Sequence, residues 1–526
     1  MYIGDYLARR ELYSPEQLAI LDFGKQPVLT LTYRQINARA NRFAHWLRSR
    51  AGISKGDRVA ILARDGVEHL DTFFACSKLG AIHTALNWRL HPQEIAGIFE
   101  NVQPQVLIYS GDFLETVLSL EKLLRRKPYA VRHYLHIEGQ GLADMGSEPN
   151  LEDELFETAL QSGSPDPVTC ESLEAEDIAA LIFTGGTTGL PKAAQVSHRM
   201  VAWNTLNTVI HDINHNDVYL NVFPMFHTGG LFVYTLPQVI FGGTTLLIRQ
   251  FDAALVLDLI QREKVTIFAG VPTMYQMLTE APEWDKADLS SLRFCTSGGA
   301  PLPVTLVEKY TKEKGIRFKQ GFGMTEFGPG IFALAPEDAI RKAGSIGRPN
   351  FFVDARIAGP DGDFLGPDQE GELVLKGPSY CSGYYNDPQA TAGAVDERGY
   401  FHTGDIARYD TEFYFYIVDR KKDMYISGGE NIYPAEIEKT LYQHPAVALC
   451  AVIGLPDPKW GEVGKACVVL RRGETATEEE ILAFLSERLA KFKVPRSVVF
   501  LDELPISAAG KILKRELKDQ FMDQME

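Results

Sequence analysis

Residues 180–197 read A-L-I-F-T-G-G-T-T-G-L-P-K-A-A-Q-V-S. Thr184-Gly185-Gly186-Thr187-Thr188-Gly189 sets three hydroxyls and three glycines in six positions, and Lys192 follows. Glycine lets backbone N–H groups close around an anion, threonine hydroxyls donate to phosphate oxygens, and lysine supplies a point charge. Such a run suits a polyphosphate. It is not the Walker A loop, because Pro191 precedes the lysine where glycine is required, and Ala193 follows where Ser or Thr binds magnesium. A Gly/Thr-rich surface turn shares the composition, but the length of the whole run T-G-G-T-T-G-L-P-K argues against that reading. The apolar residues 181–183 ahead of it predict a short buried strand.

That run resembles the phosphate-loop signature of the acyl-adenylate-forming enzymes: acyl-CoA synthetases, peptide-synthetase adenylation domains and firefly luciferase. The family usually has Ser where Gly185 stands and Gly where Ala193 stands, so one hydroxyl donor is missing here. Further motifs follow in the family's order over nearly the whole chain. Gln320-Gly321-Phe322-Gly323-Met324-Thr325-Glu326 resembles the run that closes over adenine and the α-phosphate, which implies that Glu326 binds Mg2+. A hard cation among phosphate oxygens takes a carboxylate readily. Phe322 replaces the usual tyrosine; stacking on adenine survives the exchange, and a phenol contact does not. Gly298-Gly299-Ala300-Pro301 is similar to the adenine-edge turn. His402-Thr403-Gly404-Asp405 is similar to the ribose-binding acid, with Arg420 as a second ribose contact.

Gly510-Lys511 resembles the pair whose lysine bridges the reacting carboxylate and the α-phosphate, offsetting the repulsion between two anions. Phe223-Pro224-Met225-Phe226-His227-Thr228-Gly229-Gly230 resembles the segment with an aromatic gate between acyl pocket and thiol tunnel, where His227 stands. Gly428 and Gly429 match the glycine strand beside the pantetheine arm, and Lys422 matches the hinge two residues after Arg420. The resemblance therefore implies catalytic roles for Lys511, Glu326, Thr184 and His227. It also implies ATP, Mg2+ and coenzyme A as the small molecules used, and a carboxylic acid as substrate. The acid attacks the α-phosphate of ATP to give acyl-AMP and pyrophosphate, and the thiol then displaces AMP. Transfer to a carrier-protein thiol, a luciferase-like oxidation and a non-catalytic nucleotide-binding protein are the alternatives.

The acid itself is not written in the motifs. Candidate pocket walls at residues 226–231, 271–274, 324 and 331–333 contain no lysine or arginine. A second carboxylate finds no partner there, which favours a fatty or aryl monocarboxylic acid over a diacid.

The elements that must position these residues form an α/β pattern. Thr32 and Gln35 predict a capping box before a helix with Ile36, Ala40, Phe43 and Leu47 on one face. Residues 57–62, 81–86 and 105–109 read as strands, residues 67–79 as a helix, and Pro92 as a helix start. Such alternation predicts parallel sheets covered by helices. Residues 138–177, acidic and rich in Gly, Ser and Pro, read as an exposed connector. The expected division is an ATP- and acyl-binding domain over 1–419, a hinge at 420–422 and a small mobile α+β domain over 423–526. That last stretch carries a helix from Pro434, a capping box from Thr477 to Glu480 and several strands.

Composition bounds the partners. With 526 residues, 45% apolar and 23% charged, the chain has the make-up of ordinary globular domains. A net charge of −16 argues against nucleic acid or an anionic membrane as the principal partner. Six scattered cysteines without a C-x-x-C pair suit reduced thiols in the cytoplasm. No secretory signal is read in residues 1–10. Residues 218–248 lack Asp, Glu, Lys and Arg, but prolines and glycines interrupt them, so they predict a buried core segment rather than a membrane span. Asp replaces Glu in the H-E-x-x-H imitation at residues 211–215, among turn-forming neighbours, and zinc is not expected there. Oligomeric state and peripheral membrane contact are left open.

Overall fold

The computed structural model describes residues 3–125, 127–138, 152–184, 191–208, 212–300, 302–420, 423–427, 430–507 and 512–522. They fall into two compact units, one formed by residues 1–343, 349–353 and 377–395, the other by 344–348, 354–376 and 396–526. The first has the parallel sheets that the alternation of elements predicts, and the second is built mainly on antiparallel sheets, as the α+β expectation for the C-terminal part has it.

In the first unit one sheet runs in the order Glu152–Leu155, His133–His136, Val106–Tyr109, Arg58–Leu62, Ile82–Ala85, Ile178–Thr184, Lys192–Ser197. Its pairs are parallel except the last. Strands such as Val106–Tyr109 are buried on both faces, and they are accordingly continuous apolar runs rather than alternating ones. A second sheet passes through Leu18–Asp22, Thr244–Leu247, Val218–Asn221, Ile267–Gly270, Phe294–Ser297, Phe318–Met324 and Gly328–Leu334.

The helix Val67–Leu79 has every residue buried, and its Leu70, Phe73 and Phe74 share one core with Ala180, Ile182 and Val196 of one sheet and Ile20 and Leu247 of the other. A helix buried on all faces lies between layers, and its charged residues must then be paired, as Glu68 is with Lys25 and Asp71 with Arg39. Lys78 in that helix is neutralised by Asp5 at 2.5 Å and also donates to Asn37 at 2.8 Å.

The apolar stretch 218–248 is core, as expected: the strand Val218–Asn221, a wide π turn at Gly229–Val233, the helix Thr235–Phe241 and the strand Thr244–Leu247. Both capping boxes form, Thr32 with Gln35 and Thr477 with Glu480. One expectation is corrected. Within the connector the strand Glu152–Leu155 pairs in parallel with His133–His136, and the helix Phe156–Ser162 follows. Its acidic look is deceptive because the carboxylates have buried donors. Asp153 accepts from Tyr109 Oη at 3.2 Å, and Glu154 accepts from Trp46 Nε1 at 3.0 Å.

The second unit contains an antiparallel sheet in the order Asp354–Ala358, Gly371–Lys376, Phe401–Tyr409, Phe415–Arg420. Beyond it, Val447–Asp457 and Gly461–Leu470 form a long antiparallel pair. The helices Pro434–Leu441, Glu478–Ser486 and Lys514–Met522 accompany that pair.

The hairpin of Phe318–Met324 and Gly328–Leu334 leaves no room at one glycine. A Cβ on Gly323 would stand 2.2 Å from the Pro329 carbonyl oxygen, whereas one on Gly321 meets nothing nearer than 3.8 Å. Gly323→Ala is therefore expected to destabilise the protein by about 1–3 kcal/mol and Gly321→Ala by less than about 1 kcal/mol. Urea midpoints of the two variants check this; equal losses would place the close approach elsewhere.

Candidate active site

The strand Ile178–Thr184 leads into the phosphate run, and Lys192–Ser197 returns antiparallel with Thr184 opposite Lys192. The two ends of the run are thus held across one rung. Gly185, Gly186, Thr187, Thr188 and Gly189 lie outside the described residues. Lys192 is exposed, and its Nζ stands 5.0 Å from the ring centre of Tyr384.

Tyr384 is the residue that motif reading missed. Its hydroxyl donates to Glu326 Oε1 at 2.9 Å. Burial, and after it the charge of Glu326, pushes its phenol well above the ordinary range, so it stays protonated and remains a donor. The backbone explains how it comes to stand there. Residues 382–385 lie against the strand Lys192–Ser197: Ser382 N donates to Gln195 O at 2.9 Å, Gln195 N to Gly383 O at 2.9 Å, and Tyr385 N to Ala193 O at 2.8 Å. One residue earlier, Cys381 N donates to the carbonyl of Glu326 at 2.7 Å. A single strap therefore carries Tyr384 between the phosphate strand and the turn Thr325–Phe327. The sequence offered only Gly383-Tyr384-Tyr385, with nothing local to single out the phenol.

Beside the turn, the strands Phe294–Ser297 and Phe318–Met324 are parallel neighbours with Ser297 opposite Gln320. This register sets Gly298 and Gly299 next to Gly321. A Cβ on Gly298 would meet the Gly321 carbonyl at 3.4 Å, and Gly299 has a φ of +81° that favours glycine. Gln320 Oε1 accepts from Leu302 N at 3.2 Å, tying the far side of the turn. Ala300 lies between; Pro301 is outside the described residues. The Phe322 ring meets Phe332 edge-on, with centres 5.8 Å apart. Thr325 is buried next to Glu326.

The segment 223–230 is shaped by tight backbone contacts. Gly229 N donates to His227 Nδ1 at 3.1 Å, and a Cβ on Gly230 would stand 2.3 Å from the Pro224 carbonyl oxygen. Asn204, on the helix His198–Thr208, ties together backbone next to two of the candidate pocket walls, 226–231 and 331–333. Its Nδ2 donates to Phe232 O at 2.7 Å, and its Oδ1 accepts from Gly330 N at 3.2 Å. Phe226, Leu231, Ile331 and Phe332, in those two walls, are buried. A second unanticipated residue anchors the segment: Asp65, buried at the end of the strand Arg58–Leu62, accepts from Met225 N at 2.8 Å.

In the second unit Asp405 is buried on Phe401–Tyr409 opposite Arg420, and Arg420 Nε lies 2.6 Å from Asp405 Oδ1. Thr403 Oγ1 accepts from Asp405 N at 3.0 Å while donating to Leu373 O at 2.7 Å. Both expected ribose contacts are therefore brought together. Just before the expected hinge, Asp419 accepts from Ala435 N, in the first turn of Pro434–Leu441, at 2.9 Å. Burial pushes its carboxyl up to about 6 against the opposing pull of Lys514. Lys422, Gly428, Gly429 and Lys511 lie outside the described residues, although Ile506 and Ile512 on either side of the Lys511 motif bridge one another.

Burial raises the Asp65 carboxyl from 3.8 to about 7, opposed by the Met225 N–H and by Arg89 and Arg249. As pH rises through that interval the unfolded chain gives up the proton and the folded chain keeps it, so Asp65 lowers stability increasingly up to its folded pKa. Asp65→Asn keeps an acceptor for Met225 N–H and removes the titration. The stability of the variant relative to the parent should rise by on the order of a few kcal/mol from about pH 5 to about pH 8. Denaturation at the two pH values tests this, and a difference that does not change with pH would contradict it.

Comparison with known proteins adds a separate line. The family model described as AMP-binding enzyme matches residues 9–385, and the AMP-binding enzyme C-terminal domain matches residues 436–511. A feruloyl-CoA synthase of an Amycolatopsis species is 41% identical over 521 residues, 99% of each chain. The long-chain-fatty-acid–CoA ligase FadD13 of Mycobacterium tuberculosis is 37% identical, over 99% of this chain and 98% of its own. An indoleacetate–CoA ligase of Aromatoleum aromaticum is 36% identical over the full length of both. A crystal structure of ATP-bound MatB from Rhodopseudomonas palustris superposes with a TM-score of 0.89, 30% identity and full coverage of both chains. With both family models matched in chain order and relatives of this identity spanning its length, the chain belongs to the AMP-binding enzyme family.

Proposed function

We propose that the chain is an ATP-dependent carboxylate–CoA ligase that prefers an aryl monocarboxylic acid. It makes acyl-AMP and pyrophosphate, then acyl-CoA and AMP. The observation that carries this reading is the grouping of Lys192, Tyr384 and Glu326 at the exit of the phosphate run. An exposed ammonium and a carboxylate oxygen, separated by a neutral phenol, suit a magnesium–nucleotide: the ammonium faces phosphate, and the carboxylate is a ligand of the hard oxygen type that Mg2+ takes. Bound Mg2+ screens phosphate charge, which eases the approach of a carboxylate anion. Glu326 is the residue to hold it.

In the first half-reaction a carboxylate oxygen attacks the α-phosphorus, and the bond to the pyrophosphate oxygen breaks. Lys511 balances the charge that builds there, a role read from Gly510-Lys511 and supported by a family-model match that extends to residue 511. In the second, the CoA sulfur attacks the acyl carbon and AMP leaves with the bridging oxygen. Asp405 and Arg420 take the ribose hydroxyls, residues 298–301 and Phe322 the adenine, and His227 the gate to the thiol. Gly428 and Gly429 leave room for the pantetheine arm. The proposal keeps the domain division at 1–419 and 423–526 with the hinge at 420–422. It also places the protein in the cytoplasm, a reading supported by six free thiols. Among the described residues no helix is long and apolar enough to cross a membrane.

The preference for an aryl acid rests on two of the three relatives acting on feruloyl and indoleacetate groups, and on candidate walls that carry no cation. A fatty acid is the second reading, favoured by the long-chain relative. A chromatographic panel of CoA thioesters should give the highest kcat/KM for cinnamate-like or arylacetate acids. Faster turnover of dicarboxylates would contradict the cation-free walls, and faster turnover of long-chain fatty acids would establish the second reading.

The two lysines outside the described residues should separate the half-reactions. Lys511→Ala is expected to lose acyl-AMP formation by ~3–4 kcal/mol of barrier while still converting supplied acyl-AMP to thioester. Lys422→Pro fixes φ near about −65° at the hinge and should form acyl-AMP but transfer it poorly. Loss of the same half-reaction in both variants would rule out a rotation between two working orientations.

A further inference from the structure

We propose that Tyr384 is a positioning residue for the nucleotide–metal end of the site, holding the Glu326 carboxylate by its hydroxyl and the Lys192 ammonium by its ring. The proposal rests on the reading of Glu326 as the magnesium carboxylate and of Lys192 as a phosphate contact.

The two contacts use different parts of one side chain. Oη donates to Glu326 Oε1 at 2.9 Å, and the ring centre lies 5.0 Å from Lys192 Nζ. A phenol orients a carboxylate without bringing a positive charge, so the anionic character a dication needs is retained; an arginine in its place would compete with the metal. Hydrogen bonds from such outer groups fix the direction of a ligating carboxylate. The ring face attracts an exposed ammonium only modestly, by about 0.5–1 kcal/mol, which is weak enough to yield to a phosphate. Lys192 makes no ion pair among the described residues, and its ammonium meets the ring of the same phenol whose hydroxyl meets the Glu326 carboxylate. Each charge is thus engaged by a neutral side chain and remains available to a ligand.

The backbone gives the arrangement its precision. Gly383 O and Tyr385 N bond to the strand Lys192–Ser197 on either side of Tyr384, and Ala194 forms a bridge with Tyr384 itself. Cys381 N holds the Glu326 carbonyl. The Tyr384 backbone is therefore set with respect to both charges, so truncating its side chain frees Glu326 and Lys192 without releasing the strap.

Three variants, Tyr384→Phe, Tyr384→Leu and Glu326→Gln, together with the Glu326→Gln/Tyr384→Phe double variant, test the proposal in the full-length protein. Titration with Mn2+ in the presence of ATP, followed by electron paramagnetic resonance, reads metal affinity independently of turnover, and thermal unfolding without ligand verifies the fold. Tyr384→Phe keeps the ring and is expected to weaken metal binding roughly tenfold, with nucleotide binding at saturating metal unchanged. Tyr384→Leu should lose metal affinity to the same extent and in addition weaken nucleotide binding at saturating metal. Because the hydroxyl acts through Glu326, the double variant should bind metal no more weakly than Glu326→Gln alone. If Glu326→Gln leaves Mn2+ binding unchanged, the assignment of the metal carboxylate is wrong and the proposal fails with it. If Glu326→Gln weakens binding but Tyr384→Phe does not, or if their effects add, Tyr384 does not position the carboxylate and only the proposal is overturned.

Discussion

Two anions must meet in this reaction, and the strap of residues 381–385 decides where the protein can place opposing charge. It lies along Lys192–Ser197 and holds the Glu326 carbonyl, so the exit of the Gly/Thr-rich run and the turn Thr325–Phe327 are tied to one segment. Those two segments come from different sheets of the first unit, and no local sequence preference could bring them into register. The helix Val67–Leu79, buried on every side, packs the sheets together, and the strap then sets the charges.

Much of this fold was legible because burial writes itself into composition. The alternation of short strands, residues 105–109 among them, with helical patterns announced parallel sheets, and the helix at residues 67–79 was found with its observed ends. Capping boxes were readable because both partners lie within one turn. The connector was misread for the opposite reason. Asp153 and Glu154 look solvated, and the partners that let them sit in a strand paired with His133–His136, among them Tyr109, His136 and Trp46, are distant in sequence. Motifs nominated candidate site residues by type and order, yet Tyr384 and Asp65 escaped. Each owes its importance to one contact across a long stretch of chain, with Glu326 and with Met225.

The second unit shows the same economy of charge on a smaller scale. Asp405 and Arg420, opposite one another on adjacent strands, form one polar pair. Asp419 follows on the other side of the same strand end and caps the first turn of Pro434–Leu441. The sheet that carries Asp405 and Arg420 is in this way linked directly to the helix Pro434–Leu441. A residue whose carboxyl is raised to about 6 by burial is held there by its backbone donors and Lys514 rather than by water.

The chemical claim beneath all of this is that the carboxylate attacks phosphorus and that its oxygen later leaves with AMP. An acid labelled with oxygen-18 in both carboxyl positions, converted with ATP and CoA and analysed by mass spectrometry of the nucleotide, tests it in one experiment. One labelled oxygen in AMP, with unlabelled pyrophosphate, is the predicted result. Unlabelled AMP, or ADP formed with labelled inorganic phosphate, would contradict an acyl-adenylate intermediate.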